Sequence, residues 1–136
     1  MRVKQMVSKF LKDKEIELER NELGINFSFE GWNFLLWDDA HDPSLFRLVL
    51  PGVFDVTDDN FAKALMACND INWNFKVVKA VLYDFEDEHD SGSAIWLCFE
   101  QVLEGKPQMG ELVPNAIHSL LSAADALLKE LAEDDS

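Results

Sequence analysis

The chain has 136 residues, the length of one domain, and 48% of them are hydrophobic, enough for a buried core. Its 26 acidic and 12 basic residues give a net charge of −14. Such a surface repels phosphate backbones and anionic membranes, attracts basic partners, and argues against nucleic-acid and membrane binding. The charge is uneven. Residues 1–20 hold six basic and four acidic residues, a net of +2, so the remainder carries −16. The N-terminal "MRVKQMVSKFLKDK" lacks the continuous apolar stretch of a secretory leader, and no run is long enough to span a bilayer, so the expected location is the cytoplasm. Cys68 and Cys98 both lie in apolar runs and read as reduced, buried thiols.

The first element is a short helix. Val3, Met6, Val7, Phe10 and Leu11 share one helical face. Residues 15–22 alternate, and either extend that helix or form a short edge strand. Ile25, Phe27 and Phe29 alternate with polar residues, Gly31 marks a turn, and Trp32, Phe34 and Leu36 oppose Leu35 and Trp37 by strand parity. This is a β-hairpin. A third strand, "SLFRLVL", is expected to stop at Pro51-Gly52. "TDDNFAKALMACNDIN" reads as the second helix, capped by Thr57 or Asp58, with Phe61, Ala64, Leu65, Cys68 and Ile71 as its buried stripe. Asn69 and Asn72 sit where this helix should end, because asparagine tolerates left-handed backbone.

Residues 75–85 form the next strand, with Val78, Ala80 and Leu82 on one face and Val77, Lys79, Val81, Tyr83 and Phe85 on the other. "EDEHDSGS" is a polar connection. "AIWLCFEQVL" is the last strand, with Ile95, Leu97, Phe99 and Leu103 inward and Trp96, Cys98 and Val102 opposite. Val113, Ile117, Leu120, Leu121, Ala124, Leu127, Leu128 and Leu131 then define a long amphipathic helix, with Pro114 in its first turn, followed by an acidic tail over residues 132–136. The order α-β-β-β-α-β-β-α indicates one α+β domain over residues 1–136, with a mainly antiparallel sheet of about five strands.

The sequence assembles no active site. His41 and His89 lie in acidic turns, beside Asp38, Asp39 and Asp42 and beside Asp84, Glu86, Asp87, Glu88 and Asp90. Neither run has the spacing of a calcium loop or a zinc site. His118 falls on the polar side of the last helix. No nucleophile elbow and no glycine-rich phosphate loop is present, and Glu100 and Glu104 have no evident partner. No enzyme activity, cofactor or metal is therefore expected. Ten Phe and four Trp are many rings for so small a core. Trp32, Phe34, Trp37, Trp73 and Trp96 are the candidates for a face that packs on a partner.

The hairpin "INFSFEGWNFLLW", the stretch "DPSLFRLVLPG" with Leu48, Leu50 and Pro51, and "NDINWNFKVVKA" with Asn69, Ile71, Asn72, Val77, Val78 and Lys79 resemble the YbjN-like family of bacterial proteins. That resemblance covers nearly the whole chain. It implies a helix-flanked antiparallel sheet and a homodimer, in the fold of type III secretion chaperones, whose own dimer grooves hold an extended segment of an effector. The expected function is a non-catalytic protein-binding module, chaperone-like or regulatory, whose partner carries a basic or apolar segment. A small-molecule binder with a pocket between the sheet and the C-terminal helix is the alternative, and a metal-dependent enzyme using His41 or His89 is a weaker one.

Overall fold

The computed structural model describes residues 3–37, 41–86, 91–103, 105 and 107–133. The His89 cluster, apart from Asp84 and the backbone of Glu86, lies outside these residues, as do Asp38, Asp39, Glu104 and residues 134–136 of the tail.

Helix α1 (Val3–Asp13) buries Val3, Val7 and Leu11. Residues 14–16 then settle the ambiguity of the segment that follows. The Ile16 N–H donates to the Leu11 carbonyl and the Glu15 N–H to the Lys12 carbonyl. Glu15 takes a φ of 64°. This is a Schellman closure with glutamate at the position glycine usually holds, sealed by Ile16 packing against the core that contains Leu11. The helix ends there, and only Glu19–Arg20 pair as a strand, β1.

β2 (Gly24–Phe29) and β3 (Trp32–Trp37) form the expected hairpin, turning at Gly31 with a φ of 83°. β4 (Leu45–Val56) does not stop at Pro51-Gly52. It runs on against β6 through an irregularity between Leu50 and Phe54. The missing proline N–H falls in this shifted stretch, where no regular ladder bond needs it.

Helix α2 (Phe61–Asn74) starts later than Thr57 or Asp58 would place it. Asn60 occupies the cap position, but its side chain turns back into the loop. Its Oδ1 accepts from the Thr57 N–H at 2.7 Å and its Nδ2 donates to the Asp55 carbonyl at 3.2 Å. The buried stripe is Ala64, Ala67, Cys68 and Ile71, whereas Phe61 and Leu65 are exposed, which corrects the stripe read from periodicity. The left-handed residue that follows the helix is Val77, at a φ of 57°, and neither asparagine.

β5 (Val78–Glu86), β6 (Ser91–Val102) and α3 (Met109–Glu133) complete the chain. α3 begins a turn earlier than expected, so Pro114 lies inside it rather than in its first turn.

The sheet has six strands in the order β1-β2-β3-β4-β6-β5, every neighbouring pair antiparallel. The sixth strand is the two-residue β1. Ile25, Phe27, Phe34, Leu36, Phe46, Leu48, Leu50, Ala80, Ile95, Leu97 and Phe99 face the buried residues of all three helices in one core. Phe27 stacks on Phe34 at 5.4 Å, and Phe46 meets Phe99 edge-on at 5.8 Å. All three helices therefore pack on one face of the sheet. Among the described residues no helix is long and apolar enough to cross a membrane.

Candidate interaction surface

The other face of the sheet has a second, smaller apolar cluster made without any helix. Leu35 on β3, Val49 on β4 and Cys98 on β6 form its floor, and Leu23, Trp37 and Trp96 pack over them. Leu35 and Val49 are 2% and 1% exposed. Side chains of a single layer achieve that burial because the tryptophans are broad enough to lie across neighbouring strands. Trp37 and Trp96 meet edge-on at 6.4 Å, and Tyr83 on β5 stacks on Trp96 at 3.9 Å. The half-buried rings thus form a band from β3 to β5.

One margin of the band is charged. Arg47 on β4 faces Glu100 on β6 in register. Arg47 Nε lies 3.3 Å from Glu100 Oε1, and Lys79 Nζ donates to the same oxygen at 2.8 Å. The Arg47 guanidinium also sits 5.9 Å over the Trp37 ring. Partial burial pushes the Glu100 carboxyl up, but the hydrogen bond from Lys79 and the charge of Arg47 outweigh it and hold the group below its usual range. Glu100, expected to stand without a partner, therefore has two. Burial raises the Cys98 thiol and Glu100 raises it further, against the opposing pull of Lys79 and Arg47; burial alone raises Cys68. Both cysteines are free, buried and protonated at neutral pH.

The five candidate rings do not form one group. Trp37 and Trp96 come together on the helix-free face. Phe34 is 0% exposed in the main core and has no surface to offer, which corrects its assignment to a partner face. Trp32 is half-buried and packs on that same core. Trp73 is 86% exposed near the end of α2, away from the others.

No family model matches this sequence, and no curated protein matches it by sequence. A solved structure does match. It is the crystal structure of YbjN, in its own description "a putative transcription regulator from E. coli". The two chains superpose with a TM-score of 0.66 over 98% of this chain and 97% of that one, at 12% identity. The fold is that of YbjN.

On this YbjN-like frame two further surface features stand out. The first is the outer side of α2, where Phe61, Leu65, Met66 and Trp73 are 48%, 43%, 69% and 86% exposed. The second is an apolar cleft of about 410 Å³ between α1, the β2–β3 turn and α3. Phe10, Phe29, Val113, Ile117 and Leu121 line it, with Lys14, Glu30 and His118 also in its wall. His41 is exposed, and no group of three metal-ligating side chains gathers among the described residues.

Two residues of the YbjN-like outer face escaped the sequence reading. Arg47 looked like an interruption in an apolar strand, and Tyr83 like an ordinary strand residue. The signal for Arg47 was its parity with Val49. Tyr83 could be placed beside Trp96 only once β5 was paired to β6.

Proposed function

We propose that this protein is a non-catalytic protein-binding module, chaperone-like or regulatory, acting in the cytoplasm. The observation that carries this reading is the helix-free sheet face, an aromatic band over an apolar floor with a charged margin. Such a face suits an extended segment whose apolar side chains lie on Trp37 and Trp96. Basic residues flanking that segment would be drawn by the net charge of −14. A regulatory role of the kind named for YbjN would act through protein contacts, since the same charge opposes a nucleic-acid backbone.

The test is an array of short peptides probed with the wild type and with Trp37→Ala and Trp96→Ala. Apolar peptides flanked by lysine are expected to bind, and acidic apolar ones to bind more weakly. Each variant should weaken binding by about tenfold, a hot-spot loss of roughly 1.4 kcal/mol. Thermal unfolding separates this from loss of fold. Retained binding by a folded double variant would move the site elsewhere.

The partnership with a second copy is part of this proposal, and the exposed ridge of α2 is its surface. Met66→Asp is expected to give a monomer by light scattering where the wild type is a dimer. Added salt should favour the wild-type dimer, because it screens repulsion between two acidic copies. A wild-type monomer at every salt concentration would sink the dimer. The apolar cleft beside α3 supports the small-molecule alternative.

A further inference from the structure

Four of the twelve basic residues of this acidic chain line one groove. Between α1 and the β1 edge of the sheet lies an open groove of about 570 Å³, in the size range of ligand sites. Lys4, Lys9, Lys12 and Arg20 line it, with Asp13 as its one acid. Its apolar lining is Leu18 and Ile25. The groove thus nets +3, against −14 for the chain.

Docking α1 onto an acidic body does not account for this charge. The helix is held by Val3, Val7 and Leu11, which are 4%, 0% and 0% exposed. Lys9, Lys12 and Arg20 are exposed and make no ion pair among the described residues. Solubility does not account for it either, since a scattered distribution would serve as well. The groove also lies where the sheet edge is thinnest. β1 pairs with β2 only at Asn26 and Ile25, leaving room beside the edge.

From this juxtaposition of exposed Lys9, Lys12 and Arg20, apolar lining and short edge strand, we infer that the α1–β1 groove binds a short acidic peptide segment that carries an aliphatic side chain. The aliphatic group rests on the half-buried Leu18, and the flanking carboxylates meet Lys9, Lys12 and Arg20. A nucleic acid fits less well. Its backbone charges continue past the groove and meet the acidic remainder of the surface. The site is separate from the aromatic face and opposite to it in charge preference.

Fluorescence anisotropy with three labelled probes tests the inference. The probes are a peptide of aspartates and glutamates around one leucine, the same peptide with asparagine and glutamine, and a single-stranded oligonucleotide of equal charge. The acidic peptide is expected to bind saturably at about 50 mM salt and to weaken by about tenfold at about 300 mM. The amide peptide should bind at least about tenfold more weakly, consistent with charge-assisted contacts. The double variant K9E/K12E changes only exposed side chains, so it should keep the wild-type unfolding curve while losing the acidic peptide. Trp37→Ala should leave that binding unchanged. No saturable binding of the acidic peptide, equal binding of the amide peptide, or full binding by folded K9E/K12E would overturn the inference. Tighter binding of the oligonucleotide would reassign the groove to nucleic acid.

Discussion

Phe34→Ala is expected to lower the unfolding free energy by about 3–5 kcal/mol, the cost of deleting a fully buried ring. The ring is 0% exposed and stacks on Phe27 with an interplanar angle of 13°. It stands in the middle strand of the β2-β3-β4 group, so little around it can collapse into the space without shifting the strand. A domain of this size holds about 5–15 kcal/mol in total, so the variant should be close to unfolding. Phe34→Leu keeps most of the volume and should cost less than about 1.5 kcal/mol. Trp73→Ala, at an 86% exposed position, should change stability by no more than about 0.5 kcal/mol. Urea unfolding of the three variants gives the comparison. A Phe34→Ala loss as small as that of Trp73→Ala would mean the ring is not in the core.

The contrast between Phe34 and Trp73 shows what a sequence pattern carries. Strand parity is strict, because a slip of one residue inverts every side chain. Within β3, Trp32, Phe34 and Leu36 could therefore be set against Leu35 and Trp37 from alternation alone, and within β6 Ile95, Leu97 and Phe99 against Trp96 and Cys98. Parity does not say which side the helices cover. Nor does it place β6 between β4 and β5, the strand order that brings Trp96 under Tyr83 and Glu100 beside Arg47.

The helices differ in the same respect. α3 has one apolar stripe against one polar face, and its inward residues follow directly. α2 carries apolar residues on two sides, interrupted by Lys63, Asn69, Asp70, Asn72 and Asn74, so two stripes compete. One is small, with Ala64, Ala67 and Cys68, and the other is large, with Phe61, Leu65, Met66 and Trp73. The stripe read from periodicity joined Phe61 and Leu65 to Ala64, Cys68 and Ile71; the last three are buried together with Ala67 and the two larger side chains stay outside, letting the helix lie close against the sheet and α3. A large stripe left outside is what makes α2 a candidate for contact with a second copy.

The asparagine at the end of α2 has a consequence of comparable weight. Asn72 Oδ1 accepts from the Ala80 N–H at 2.7 Å, and Asn72 Nδ2 donates to the Ala80 carbonyl at 3.1 Å. β5 is the last strand of the sheet on this side, so these two backbone groups have no neighbouring strand to meet. The side-chain amide supplies the donor and acceptor that such a strand would have provided. Asn72→Ala is therefore expected to destabilise the fold by about 2 kcal/mol, two lost bonds to a residue only 4% exposed, less a small gain in helix propensity. Asn72→Asp keeps the acceptor for the N–H but turns a carboxylate oxygen toward the Ala80 carbonyl, so it should rescue little. The freed edge gives a second readout. An unguarded strand edge templates pairing with other chains, so Asn72→Ala should form larger species with rising concentration, while a stability-matched core variant should not. Unfolding curves and light scattering at several concentrations check both effects. If Asn72→Ala matched the wild type in stability and size, the amide would contribute nothing to the fold or to the protection of the β5 edge.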